Sequence, residues 1–265
     1  MATTDGRTLG RTRLSLILYV ARRDLDRRYA GSTLGALWAL AFPVLQILVY
    51  WAVATYGLRL GQGSVYPLGA LLIAGMAPWF ALSDALGGMT RSFTSNAALL
   101  KRLVVPPAIM PLASLVAALM VHAAIVVIAV LALWALGHPP VPSLAALFYF
   151  AACGALFALA SGTLLALANA AFRDVGQALG PLLMLWFWAT PIVWPAAALP
   201  ARLQPLVTWN PLAFLVDGYR FALLGRAADL PSIEATMAFW AITALLGLVA
   251  WLAFRRFKRE LGDYL

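Results

Sequence analysis

The sequence predicts an all-α membrane protein: six transmembrane helices, an amphipathic helix at the interface ahead of them, and an outer two-helix re-entrant hairpin before the last span. Three observations carry that prediction. Of 265 residues, 63% are hydrophobic and 11% charged, whereas soluble domains run at about 45–50% apolar and about 25% charged. Uncharged runs fill 29–58, 60–83, 103–172, 175–201 and 235–254, and a span needs only about 20 apolar residues. The net charge of +9 sits at the ends of those runs, where it answers anionic lipid and topology and not nucleic acid.

The elements follow in order. In 11–29, Leu14, Ile17, Leu18, Ala21 and Leu25 recur at helical spacing while Arg11, Arg22, Arg23 and Arg27 lie off that stripe. A basic amphipathic helix of modest hydrophobicity lies in the interface plane, so 1–33 forms an N-terminal segment outside the bilayer. The first span falls near 34–57. Its charge-free run exceeds the 7–15 residues of a signal core and reads as a retained helix. The second falls near 65–87. "GHPPVPS" (137–143) divides the third run into spans near 106–136 and 143–171. The fifth lies near 175–195, with Pro191 and Pro195 bending its outer end, and the sixth near 233–254, followed by a basic tail, 255–265.

Between the last two spans, 196–231 is too apolar for a linker and reads as two short helices broken at "WNP". Asn210 suits an N-cap, Pro211 the first helical position and Gly225 the stop. Leu212, Leu215, Val216 and Tyr219 give the second helix an apolar face. Six spans place both termini on one side, which carries fifteen Lys/Arg (seven before span one, three in 88–105, Arg173, four in the tail) against four opposite, Arg59, Arg202, Arg220 and Arg226. Both termini are therefore expected in the cytoplasm.

Catalytic chemistry is not written in the sequence. With only Lys101 and Lys258 there is no phosphate-loop lysine, and no HExxH, GxSxG or metal-spaced pair occurs. Cys153 is the single cysteine, so no intrachain disulfide forms. An intramembrane serine protease would have to pair Ser161 with His122 or His138, and a lone histidine on an apolar helix is expected to be a satisfied core residue. Asp84, the acidic residue near the cytoplasmic end of the second span, is expected to pair with Arg91 or Lys101. Without ionisable groups at membrane depth for ion coupling, uphill transport would draw its energy from outside the chain.

The stretch "RRDLDRRYAGSTLGALWALAFP" (22–43) resembles the N-terminal signature of polysaccharide-exporting ABC-2 permeases. The resemblance recurs, in the family's order, in "NAALLKRLVVPPAIMP" (96–111), "FRDVGQ" (172–177), "ATPIVWP" (189–195), "WNPLAFLVDGYR" (209–220) and "FKRELGDYL" (257–265). Val105 departs from it, standing where the family often has an aromatic. The resemblance implies a homodimer in the bacterial inner membrane, joined by two ATP-binding-cassette subunits that bind ATP and Mg, with no cofactor in this chain. It implies export of a polyprenyl-diphosphate-linked polysaccharide. "RYAGSTLGALW" leans toward the O-antigen group, with capsule or teichoic-acid export the nearest alternative. An ATP-independent channel or an intramembrane enzyme is more distant.

Site residues follow from both readings. The segment 89–102 offers Arg91, Phe93, Asn96, Leu99, Leu100, Lys101 and Arg102 to an ATPase groove. Six arginines and no lysine in 11–28 favour capture of a substrate diphosphate by Arg22, Arg23, Arg27 and Arg28, beside Tyr29, because guanidinium binds phosphate in a planar bidentate fork. Topology and anionic lipid are the competing explanation, and Asp24 and Asp26 would order some of these arginines. Trp38, Phe42, Gln46 and Tyr50 repeat at i+4 and so share one stripe. With Trp186, Trp188 and Trp194 they are expected to line the path, stacking on the C–H faces of sugars. The hairpin residues Asn210, Pro211, Tyr219 and Arg220 are expected to form an outer gate.

Overall fold

The computed structural model describes residues 6–28, 30–57, 59, 67–102, 106–138 and 143–264. Tyr29 and the side chains of Lys101 and Arg102 lie outside the described residues, as does most of the basic tail's side-chain chemistry. Every regular element in the described residues is helical. They are α1 (Gly6–Arg28), α2 (Trp38–Ala52, continued by a π turn Val53–Gly57), α3 (Leu68–Thr90), α4 (Ser92–Ser95), α5 (Ala97–Arg102), α6 (Ile109–Ala135), α7 (Leu144–Ala171), α8 (Asp174–Ala189), α9 (Gln204–Thr208), α10 (Pro211–Leu224) and α11 (Ile233–Tyr264).

Among the described residues, five helices are long and apolar enough to cross a membrane: α2 with its π turn, α3, α6, α7 and the first 25 residues of α11. The fifth expected span, 175–195, is shorter than predicted. Helix α8 ends at Ala189 after 16 residues, which at ~1.5 Å per residue is about 24 Å against a hydrocarbon core of about 30 Å. The cause is local. Thr190 precedes Pro191 and takes the extended conformation (φ −105°, ψ 136°), because the proline ring clashes with a helical residue before it. The chain then runs on as a buried segment through Ile192 and Val193. In the other direction α11 overruns its predicted end at 254 as one helix.

Helix α3 is the centre of the bundle, packed on α6, α7 and α10. Ala70, Ala74, Gly75 and Ala77 line it, and small side chains let helix backbones approach closely where lipid provides no hydrophobic drive. The expected hairpin region begins with single 3-10 turns at Ala196–Ala198 and Ala201–Leu203, and then α9 and α10 meet at "WNP". Asn210 caps α10 by accepting from the Leu212 N–H at 3.0 Å, and Gly225 ends it in the left-handed region at φ 67°. Helix α10 does not lie on the surface. Leu212, Leu215, Val216 and Leu223 are all 1% exposed or less, wedged between α3, α7 and α11. A Cβ at Gly218 would run into the Phe150 ring of α7, so this residue has to be glycine.

A second, smaller core joins α1 to the bundle. Val20 and Ala21 pack with Ile109, Met110, Ala113 and Ala117 of α6, and Phe93 closes the cluster. The apolar stripe read in 11–29 is thus occupied by protein on part of its length, while Leu14 and Tyr19 stay exposed.

Candidate functional site

The arginines of α1 converge on the segment after α3. Arg23 Nη2 donates to Asn96 Oδ1 at 3.0 Å, and Arg27 Nη1 donates to the Ser95 carbonyl at 3.3 Å. Arg28 bridges two carboxylates, Asp24 at 3.0 Å and Asp84 at 2.6 Å. So Asp84 pairs with Arg28, where Arg91 or Lys101 was expected (the Lys101 side chain lies outside the described residues), and Asp24 does order an arginine as expected. The partner was unreadable from sequence because it lies 56 residues away. Three of the four arginines assigned to diphosphate capture are therefore bonded within the protein. Arg22 and Arg27 stand exposed on α1.

The segment 89–102 breaks into α4 and α5. Phe93 is fully buried and stacks near Phe257 at 5.7 Å, and Asn96 is 5% exposed. Both face inward, which corrects their assignment to an outward docking edge. An aromatic on a short helix beside a small core is removed from water there, and the Asn96 amide donates to the Ser92 carbonyl at 3.0 Å while accepting from Arg23. Leu99 and Leu100 are half-buried against the same cluster. What remains outward is Arg91, Ser95 and Ala98. Beside them a hollow of about 440 Å³ is lined by Arg91, Thr94, Ser95, Asn169, Arg173 and Gln177. Asn169 braces it, donating to the Thr90 carbonyl at 3.0 Å and accepting from the Gly176 N–H at 2.8 Å.

The aromatic stripe on α2 splits in two. Gln46 Nε2 donates to the Tyr50 hydroxyl at 3.1 Å. Tyr50 stacks on Phe187 at 5.3 Å and meets Trp188 edge-on at 6.0 Å. Trp38 and Phe42 instead line a hollow of about 470 Å³ shared with Phe80, Ser83, Asp84 and His122. Two polar atoms of those residues, Asp84 Oδ2 and His122 Nδ1, are buried without a hydrogen-bond partner among the described residues. On α8, Trp188 is exposed, whereas Trp186 turns inward and donates to Asn210 Oδ1 at 2.9 Å. Trp186 is thus a hairpin anchor and not a neighbour of Trp188. Trp194 Nε1 donates to the Trp188 carbonyl at 3.0 Å.

The expected gate residues are the hairpin's fastenings. Asn210 also donates to Thr190 Oγ1 at 2.9 Å. Tyr219 is 2% exposed, and its hydroxyl is bonded to His122 Nε2 at 2.7 Å. Arg220 donates to the carbonyls of Pro191 at 3.2 Å and Ile192 at 2.8 Å, just past the end of α8. A cation at a helix C-terminus is favoured by the helix dipole, and here it also satisfies carbonyls that proline left without partners. Gly75 makes room for it, since a Cβ there would stand 3.2 Å from the guanidinium. Tyr219 and Arg220 accordingly sit inside the bundle, bonded to α6 and to the segment after α8. Ser161 donates to the Phe157 carbonyl of its own helix at 2.6 Å, and His122 is engaged with Tyr219, so Ser161 and His122 are each bonded elsewhere.

Comparisons with known proteins agree with this layout. The family model described as ABC-2 type transporter matches residues 15–224. The chain is 26% identical over 234 residues to the O-antigen export system permease protein RfbA of Klebsiella pneumoniae, covering 88% of this chain and 89% of that one. It is 26% identical over 250 residues to the protein of the same name from Myxococcus xanthus, covering 94% of each. The polysialic acid transport protein KpsM of Escherichia coli is 20% identical over 232 residues, covering 86% and 89%.

Proposed function

This chain belongs to the ABC-2 type transporter family, and from that premise we propose that it is the membrane subunit of an exporter for a cell-surface polysaccharide of the O-antigen type. The observation that carries the reading is end-to-end similarity to permeases named for O-antigen export, at 24–26% identity over 88–94% of the chain. The capsule alternative has weaker support, at 20% identity to KpsM. In this reading two copies of the chain enclose the path, α8 and the buried segment after it serve as the remaining span, both termini face the cytoplasm, and ATP is hydrolysed by two separate ATP-binding-cassette subunits. The cargo is carried on a polyprenyl diphosphate, whose head group meets the exposed Arg22 and Arg27.

The geometry supports a division of labour. Arg91, Ala98 and the hollow beside Arg173 face outward where an ATPase would dock. Arg23 and Arg27 bond the same segment to α1, so a push on α4–α5 is passed to the interfacial helix. Leu99 and Leu100 are poor test positions, because aspartate there would be buried in the chain's own core at a cost of several kcal/mol. Ala98→Asp with Arg91→Glu alters only the outward face. The double variant is expected to reach the membrane in normal amount, to lose co-purification of the ATP-binding-cassette subunit, and to export at least tenfold less polysaccharide. Wild-type export from it would overturn the docking assignment.

Phe42 and Trp188 are 63% and 48% exposed, and Gln46 with Tyr50 places polar groups between them. Such a surface suits a sliding polymer, since ring faces exchange sugars without fixing their order. Alanine at Phe42, Tyr50 and Trp188 together is expected to reduce surface polysaccharide several-fold at unchanged protein level. If export holds, or drops only as the protein disappears, these residues are not the track.

A further inference from the structure

A groove of about 480 Å³ runs down the outside of the bundle between the start of α6, the middle of α7 and the length of α11. Its floor is made of small side chains: Ala160 and Thr163 on α7, and Thr243, Ala244, Gly247 and Ala250 on α11. It extends from Trp240 to Trp251 and Phe254, about 21 Å along α11 at ~1.5 Å per residue, which exceeds half of a ~30 Å hydrocarbon core. A narrow slot of that length, lined by small and apolar side chains, matches one extended acyl chain and is much shorter than a polyprenyl tail.

The two ends differ chemically. At the Trp240 end the indole Nε1 donates to the Tyr149 hydroxyl at 3.2 Å, and no charged side chain lines the groove there. At the other end the ring of Trp251, which forms the groove wall, carries the Arg255 guanidinium 4.0 Å above its centroid. Arg256 follows, also exposed. An arginine whose guanidinium lies over an indole keeps N–H donors at its edge for a phosphate oxygen, and it stands where the apolar wall stops, at head-group level. We propose that this groove binds one acyl chain of an anionic phospholipid, with the phosphate on Arg255. The inference rests on the reading that α11 spans the membrane, and the charge placed beside the apolar slot is what selects a phospholipid over another helix.

The test uses the full chain, purified in mild detergent and offered equal amounts of phosphatidylglycerol and phosphatidylethanolamine, with retained lipid counted by native mass spectrometry. The wild type is expected to keep one phosphatidylglycerol per chain, preferred at least fivefold. Gly247→Phe fills the slot; the nearest atom to a Cβ there is the Ala160 Cβ at 4.0 Å, so the backbone accepts it. Retention is expected to fall at least fivefold. Arg255→Gln lies outside the packed bundle and is expected to keep a lipid but lose the preference, which reads the head-group half even if the groove variant folds poorly. Leu248→Phe, on an exposed face of α11, is expected to change nothing. Equal binding of the two lipids by wild type, unchanged retention in folded Gly247→Phe, equal loss in Leu248→Phe, or a polyprenyl diphosphate in the slot would each overturn the proposal. None of these arms reads transport, so their failure leaves the permease reading untouched.

Discussion

Arg220→Met is expected to abolish export and to destabilise the folded chain by about 2–6 kcal/mol, because two buried carbonyls lose their donors at about 1–3 kcal/mol each. Methionine fills similar space but donates nothing. The carbonyls of Pro191 and Ile192 then lose their donors, and each buried polar group left unpaired costs about 1–3 kcal/mol. Asp217, 3.7 Å from Arg220 and about a third exposed, loses its cation and adds less, because water screens it. The consequence is mechanical as well. Arg220 is the fastening between the end of α8 and α10, and Tyr219 beside it fastens α10 to His122, so releasing both carbonyls frees the hairpin from its seat. Arg220→Lys, a point charge that reaches one carbonyl at a time, is expected to keep part of both stability and export. Adding Asp217→Asn to Arg220→Met is expected to recover some stability and no export. Thermal unfolding in detergent beside surface polysaccharide decides it. Wild-type stability in Arg220→Met would show that the two hydrogen bonds do not hold the hairpin.

The second large effect is expected at Arg28. This guanidinium joins the end of α1 to the inner end of α3 through Asp84 and is itself positioned by Asp24. A Cβ on Gly88 would collide with it, so the cation is seated in a notch and not waving in solvent. Its side chain is 21% exposed and that of Asp84 36%, so screening lowers the cost of breaking the pair, to about 1–3 kcal/mol. Arg28→Met is expected to lose that much stability and most export, because α1 then no longer transmits movement of α4–α5 to α3. Asp84→Asn alone is expected to do nearly the same. The double variant should cost less than the sum of the singles by about 1–2 kcal/mol, the coupling of residues in direct contact. Additive single effects would mean that the bridge carries no energy. If export is lost while the coupling energy is present, the contact serves movement as well as stability.

Much of this molecule was legible in its sequence wherever the cause is local. The uncharged runs located the helices, and for α2, α3, α6 and α7 set their bounds to within a few residues, as at Leu144–Ala171 against an expected 143–171; the ends of α8 and α11 were not given by them. Asn210, Pro211 and Gly225 marked the ends of α10 because an N-cap, a first-turn proline and a left-handed stop each act on their own turn of backbone. The dipeptide Thr190–Pro191 also carried its own signal. The expectation of a helix through 195 overlooked it, because hydropathy registers the run and not the clash before a proline.

What the sequence alone determined, then, is which segments leave water and where their helices start and stop, since burial in lipid and backbone hydrogen bonding depend on residues within one or two turns. The tertiary structure alone decided which polar groups meet. Arg28 finds Asp84 across 56 positions, Arg23 finds Asn96 across 73, and His122 finds Tyr219 across 97. No periodicity encodes those pairings. Each forms because an unpaired polar group inside a packed helix bundle is costly, and only the packing of α1, α3, α6 and α10 brings the matching donor within reach. For the same reason Phe93, expected on a docking edge, and Trp186, expected to line the path, are held by the neighbours that pack against them.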